Sequence, residues 1–337
     1  MSAVYRSSAG IIAVTCALTA VAAPVPKSAP PTPITLANVD RLRPVGEVHR
    51  DVFRMVRGPG RDRVTVIGFQ TPAEVFDLNT LRSVRRIGTD RSFVSFAAGG
   101  GDTVAWCENN TRVGVEDLKA GRTVMIETGN DQPGMTFSPD GKLLATGGYG
   151  TEAKLWSPVT GQLVRSLPAG PPGGLTVVFS RDGKLTAVGN RNAETRLFET
   201  ATGKLLHTFP KRMSQELQFH PSGRVLTVGY VDGSVGLWDV ATGKPLGLEQ
   251  ARAEEVYTLD WSPAGDLLAT AGLKGKLTLW DRSLKAVKEF NVPERVSQVR
   301  FTPDGSRLLS ACGVVEPSPN PSPDQKVIVW GLPEGVK

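Results

Sequence analysis

Residues 137–167 read FSPDGKLLATGGYGTEAKLWSPVTGQLVRSL, and this stretch decides the fold. A corner, Ser138-Pro139-Asp140-Gly141, follows an apolar stretch ending at Phe137. The run KLLATGG leads to a polar turn, and a third run ends in Leu155-Trp156. Thr160-Gly161 turns the chain again, and LVRSL closes the unit. Short apolar runs separated by Pro, Asp and Gly corners predict antiparallel strands, because those residues supply the dihedral angles that tight turns require. The unit therefore predicts four short strands.

The same pattern returns along the chain, and internal repeats outrank local propensity as a guide to fold. FSRDGKLTAVGNRNAETRLFETATGKLLHTF begins at Phe179, and FHPSGRVLTVGYVDGSVGLWDVATGKPLGLE begins at Phe219. WSPAGDLLATAGLKGKLTLWDRSLKAVKEF begins at Trp261. FTPDGSRLLSACG begins at Phe301 and resumes, after an insertion, at KVIVW. The turn glycines Gly141, Gly183, Gly223, Gly265 and Gly305 are 42, 40, 42 and 40 residues apart. The late aromatic recurs as Trp156, Phe198, Trp238, Trp280 and Trp330. Two fainter units lie upstream, with Phe76 (in EVFDLNTLRSV) and Val115 (in VGVEDLKAGRTV) at the marker position, which makes seven. One four-stranded sheet cannot bury both of its faces, whereas sheets arranged radially cover one another. The expected fold is all-β: a seven-bladed β-propeller of four-stranded antiparallel blades.

The period near 41 residues, the SPDG-type turns and the Leu-Trp-Asp endings resemble the WD40 β-propeller family over about residues 39–334. Trp238-Asp239 and Trp280-Asp281 keep the family's dipeptide, while its usual Gly-His is absent. His49 falls near that place in the first unit. The resemblance implies a structural tetrad of His, Ser or Thr, Asp and Trp, and this chain lacks most of it. It also implies closure of the ring by a strand from the other end of the chain. After Trp330 only GLPEGVK remains, too short for a fourth strand, and DRLRPVGEVH at residues 40–49 resembles a surplus one. Residues 39–49 are expected to pair beside 326–330 and complete the last blade.

Composition agrees with a turn-rich β protein. Gly and Pro number 37 and 25 among 337 residues, and 40% of residues are hydrophobic. That argues against a helical bundle, a coiled coil or a disordered chain. The net charge of +6 is not gathered in Lys/Arg blocks, so the sequence lacks the footprint of a dedicated nucleic-acid binder. Cys16, Cys107 and Cys312 form no C-x-x-C or Cys/His spacing, so neither zinc nor a disulfide scaffold is expected. Cys107 and Cys312 read as small buried residues.

Residues 1–22 read as a signal peptide: Arg6 precedes an apolar run from Ala9 to Ala23, and Ala20-Val21-Ala22 fits a cleavage site. An uncleaved anchor is the alternative. Residues 23–38 read as a linker, with five prolines in PVPKSAPPTP at 24–33. The expectation is a bacterial protein exported to the periplasm or beyond, without a stable membrane span after cleavage, and monomeric.

The residues offer little catalytic chemistry. His207 reads as an outer-strand surface residue and His220 as a turn residue. No nucleophile elbow, zinc-helix or phosphate-loop motif occurs. The position before each turn aromatic holds Ser95, Thr136, Val178, Gln218, Asp260 and Arg300. One acid and one base make no calcium cage, and Asp260 with Arg300 reads as a structural ion pair. No cofactor, metal or catalytic residue is expected.

Variation concentrates in the loops of one propeller face: Gln70, Asn109, Asn110, Tyr149, Arg191, Asn192, Tyr230, Asp232, Lys274 and the segment Lys211-Arg212-Met213. The insertion GVVEPSPNPSPDQ at 313–325 falls on the same face. It reads equally as a binding loop or as a functionless insertion. The expected function is a non-enzymatic scaffold that binds a protein or peptide, not nucleic acid, through Tyr149, Arg191, Arg212, Tyr230, Lys274 and Val315. The alternative is a propeller hydrolase or lyase acting on a small molecule or sugar at the central channel.

Overall fold

A computed structural model describes residues 31–49, 54–57, 63–67, 73–87, 96–98, 103–109, 111–117, 119–129, 134–210, 213–250, 256–292, 295–313 and 325–333. Thr32–Lys337 forms one compact unit.

After strand β1 (Arg43–His49), four strands form the first sheet: β2 (Arg54–Arg57), β3 (Arg63–Ile67), β4 (Ala73–Asp77) and β5 (Arg82–Ile87). The second sheet holds β6 (Phe96–Ala98), β7 (Thr103–Asn109), β8 (Arg112–Asp117) and β9 (Arg122–Glu127). The third has seven strands: β10 (Met135–Phe137), β11 (Leu144–Thr146), β12 (Gly148–Trp156), β13 (Leu163–Phe179), β14 (Leu185–Asn190), β15 (Arg196–Glu199) and β16 (Leu205–Thr208). The fourth holds β17 (Ser214–Phe219), β18 (Val225–Tyr230), β19 (Ser234–Asp239) and β20 (Pro245–Gln250). The fifth holds β21 (Thr258–Trp261), β22 (Leu268–Ala271), β23 (Lys276–Trp280) and β24 (Ala286–Asn291). The sixth is β25 (Val296–Phe301), β26 (Arg307–Cys312), β27 (Lys326–Gly331) and β1.

This corrects the expectation of seven separate four-stranded blades. Five sheets are discrete four-stranded blades, and the remaining repeats are merged into one seven-stranded sheet. The physical cause is β13. It runs without a break from the outer position of one repeat to the inner position of the next. Its Gly173, Gly174 and Leu175 pair with Gly150, Tyr149 and Gly148 of β12. The Gly173-Gly174 end of the Gly-Pro-Pro-Gly-Gly connection is thereby zipped into the ladder, and residues 169–172 bulge between it and Pro168, which lies opposite Glu152.

The first strand of each repeat adjoins that of the next, from β2 through β6, β10, β13, β17, β21 and β25 back to β2. Strand β1 pairs antiparallel with β27, from Arg43 opposite Gly331 to His49 opposite Lys326. Residues before β1 add a strap. Ile34, Val39 and Leu42 are buried in one cluster with Leu267, Leu277 and Val292 of the fifth sheet and Phe301 and Trp330 of the sixth. Ile34 N–H donates to the Gly305 carbonyl at 2.9 Å.

The corners repeat a common hydrogen-bond set. Ser138 Oγ accepts the Leu143 N–H at 2.9 Å and donates to Asp140 Oδ1 at 2.7 Å. Ser180 with Asp182, Ser262 with Asp266, and Thr302 with Asp304 do the same. The following Gly141 sits at φ 70°, where a side chain would be strained. The Ser138 hydroxyl and the Lys142 N–H hold the Asp140 carboxyl below its usual value, and the Ser180 hydroxyl does so for Asp182. The Thr242 and Ser283 hydroxyls lower Asp239 and Asp281. Depressed carboxyls stabilise the fold above their unfolded value near 3.8 and lose that contribution as pH falls through the folded value. Chemical denaturation midpoints are therefore expected to be flat from neutral pH to about 5 and to fall below pH about 4. A double Asp140→Asn/Asp182→Asn variant should lose less on acidification, and an equal loss would count against the turn carboxylates.

The recurring tryptophan gains a reason. Nε1 of Trp156, Trp280 and Trp330 donates to Thr146 Oγ1, Thr270 Oγ1 and Ser310 Oγ at 2.9, 2.8 and 2.9 Å. A buried indole N–H needs such a partner. In the fourth sheet Val228 stands at that hydroxyl position. There Trp238 Nε1 donates instead to the Tyr230 hydroxyl at 3.1 Å. A Cβ on Gly236 would lie 3.0 Å from both the Tyr230 ring and Trp238 Nε1, so this glycine makes room for the pair.

Candidate functional site

The face expected to vary carries a group of exposed residues on neighbouring elements. Tyr149 stands on the extended end of β12, 58% exposed. It lies opposite Gly174 of β13, whose carbonyl accepts the Arg191 N–H at 3.0 Å. The Arg191 side chain lies over Gly174, where a Cβ would meet its Cδ at 3.0 Å. The Arg191 guanidinium donates to Gln215 Oε1. Met213, two residues before Gln215, is 54% exposed.

Two asparagines hold this group in place. Asn190 is fully buried at the end of β14, and its Nδ2 donates to the carbonyls of Ala169 and Pro171, both at 2.9 Å. Its Oδ1 accepts the Asn192 N–H at 2.8 Å. Asn192 Nδ2 donates to the Pro172 carbonyl at 2.9 Å. A Cβ on Gly173 would lie 2.2 Å from Asn190 Oδ1, so glycine is required for this close approach. The carboxamides thus satisfy three carbonyls of a connection that would otherwise be solvated and loose. Sequence reasoning passed over the Gly-Pro-Pro-Gly-Gly stretch. Its signal was an Asn-Arg-Asn turn half a repeat after a connection crowded with glycine and proline.

The expected site residues divide. Tyr149 and Arg191 meet across Gly174, and Met213 is exposed two residues before Gln215, the partner of Arg191. Lys274 is exposed in the corresponding turn of the fifth sheet. Tyr230 is 2% exposed, its hydroxyl serving Trp238, so it does not belong to an accessible surface. The missing hydroxyl at Val228 was the signal for that role. Arg212 and Val315 lie outside the described residues, as do Gln70, Asn110, Lys211 and most of the 313–325 insertion.

The inner strands bring polar side chains toward the channel, where they tie sheets together. Gln218 Oε1 accepts the Trp261 N–H at 2.9 Å, and its Nε2 donates to Asp260 Oδ1. Asp260 Oδ2 accepts the Phe301 N–H at 2.6 Å. Gln298 Oε1 accepts the Met55 N–H. Each bond crosses to the next sheet. Arg300 forms its ion pair with Glu216 at 3.4 Å and donates to the Leu259 carbonyl at 3.2 Å. His220 bridges as well, its Nε2 lying 2.8 Å from the Gly265 carbonyl. Cys107 and Cys312 are buried on β7 and β26.

A family model described as "WD domain, G-beta repeat" matches residues 127–157. Another, "Eukaryotic translation initiation factor eIF2A", matches residues 179–274. Two curated relatives are each named "Eukaryotic translation initiation factor 3 subunit I". The one from Aspergillus oryzae is 34% identical over 101 residues, 30% of this chain and 30% of the relative. The one from Pyricularia oryzae is 27% identical over 107 residues, 32% of this chain and 30% of the relative. The matched stretch thus spans 30% of the length of these relatives. Relatives with eukaryotic translation-factor names point away from a secreted or periplasmic bacterial protein, so that expectation is corrected. The segment on which it rested, residues 1–30, lies outside the described residues. Among the described residues no helix is long and apolar enough to cross a membrane.

Proposed function

We propose that this chain, a member of the WD40 repeat family, is a non-enzymatic scaffold that binds a protein or peptide through the face bearing Tyr149. The observation that carries this reading is the exposed group from Tyr149 over Gly174 and Arg191 to Met213, held rigid by Asn190 and Asn192. Exposed Tyr, Arg and Met on a preorganised backbone are the residue types enriched where proteins dock. Rigidity reduces the ordering cost of binding. Relatives named as a subunit of a larger factor support a partner that is itself a protein. Inner-strand carboxamides and carboxylates engaged by backbone N–H groups also support a structural role for the channel.

A photo-crosslinking residue placed at position 149 tests the proposal, with one at Leu246 on an outer strand as control. Discrete adducts are expected from position 149 and not from 246, and Arg191→Glu should abolish them. Equal labelling from both positions, or adducts indifferent to Arg191→Glu, would reject the binding face.

A further inference from the structure

Of the net charge of +6, +5 falls between Arg41 and Arg91, which hold eleven Arg against six Asp or Glu. These arginines are scattered in sequence, but β5 gathers three of them. Arg82, Arg85 and Arg86 are all exposed on its Arg-Ser-Val-Arg-Arg stretch, with Val84 48% exposed among them. Strand β5 is the last strand of its sheet, and among the described residues nothing pairs with its outer side. The edge therefore offers a row of backbone donors and acceptors beside three guanidinium groups. Arg86 reaches Glu74 on β4 at 3.2 Å yet stays 69% exposed. The nearby Asp77 Oδ1 is engaged by the N–H groups of Asn79 and Thr80. Glu74 is thus the partner of one arginine, Arg86, while the Asp77 carboxylate is engaged by its own turn.

We infer that the β5 edge is a docking surface for an acidic peptide segment that adds to the sheet as an extended strand. Charge complementarity selects the occupant. Guanidinium forks bind carboxylates in a bidentate, planar fashion, and an open strand edge takes another strand through main-chain hydrogen bonds. Arg82 and Arg85 stand opposite Asp77 and Val75, alternate residues on one face of β4, so carboxylates at alternate positions of an added strand fall within reach of both, while Arg86, opposite Glu74, lies on the other face. Nucleic acid meets the charge but leaves the backbone row unpaired, so the peptide is favoured. Arginine on an edge also blocks unwanted pairing between sheets. Selection for an acidic strand over a basic one separates docking from simple protection.

The test is fluorescence anisotropy on the full chain with a labelled ten-residue peptide of alternating Glu and Val. Saturable binding is expected, weakened by salt and at least about tenfold by R82Q/R85Q/R86Q. That variant should still melt cooperatively, because all three side chains are exposed and only the Arg86–Glu74 ion pair is lost. A Lys/Val peptide and a Glu/Val peptide N-methylated at alternate residues should not bind, and Tyr149→Ala should have no effect. The inference is overturned if the acidic peptide does not bind, if the arginine substitutions leave binding unchanged, or if the N-methylated peptide binds equally. Arginine-dependent binding of a single-stranded RNA oligonucleotide in preference to the peptide would also overturn it. The outcome is independent of the Tyr149 face.

Discussion

A chain that begins after His49 is expected to lose the cooperative fold. Strand β1 satisfies the outer edge of β27 along its whole length, from Arg43 opposite Gly331 to His49 opposite Lys326. Val48 is buried in the cluster that joins the sixth sheet to the first, with Met55, Val64 and Val329. Ile34, Val39 and Leu42 fill the seam between the fifth sheet and the sixth. Each such side chain contributes about 1.5–3 kcal/mol by burial, so the four together contribute about 6–12 kcal/mol. A whole domain is stable by only about 5–15 kcal/mol. The truncated chain should show no cooperative thermal transition by circular dichroism. A chain beginning at Arg43 separates the two devices. It keeps β1 and loses the strap, and it should melt cooperatively at a lower temperature than the parent. If removing β1 leaves the melting temperature unchanged, the N-terminal strand is not what closes the ring.

Much of this architecture is legible in the sequence itself. The repeated Gly-containing corners fall where the four-residue turns with positive-φ glycines stand, at Gly141, Gly183, Gly223, Gly265 and Gly305. The Leu-Trp endings mark the third strands. What could not be read was the division into separate sheets. A connection of glycine and proline normally signals a solvated loop. Here four glycines, Gly148, Gly150, Gly173 and Gly174, let two backbones approach and pair, and the sheet continues through the connection. Side-chain roles also depended on neighbours in space. Tyr230 looks like an exposed loop aromatic until Val228 leaves Trp238 without a hydroxyl. Asp260 and Arg300 share a repeat position, yet Arg300 pairs with Glu216 because both project over the intervening strand β21. The arginines of β5 show the opposite effect. They lie within five residues of one another in the sequence, and only the strand order shows that they stand on an open sheet edge.

Replacing Asn190 with Ala is expected to be the most damaging single substitution at the exposed group, although no atom of Asn190 is accessible. The side chain donates to the carbonyls of Ala169 and Pro171 and accepts the N–H of Asn192. Its removal leaves those groups without that partner, in a place where Asn190 is fully buried. A buried polar group left unsatisfied costs about 1–3 kcal/mol, so a loss of about 3–5 kcal/mol follows when several are affected together. Gly173→Ala should act through the same contact, because its Cβ would collide with Asn190 Oδ1. Amide exchange should localise the damage. The Arg191 N–H, bonded to the Gly174 carbonyl, should lose protection, whereas Leu267 in the fifth sheet, whose N–H donates to Ser262 Oγ, should keep it. The functional consequence follows from geometry. Tyr149 is placed by its pairing with Gly174, and Gly174 by the connection that Asn190 holds. Crosslinking from position 149 should therefore fall in Asn190→Ala under conditions where the chain remains folded. Full crosslinking in a destabilised but folded Asn190→Ala chain would mean that the partner does not need the rigid platform, and preorganisation would then have no part in the binding.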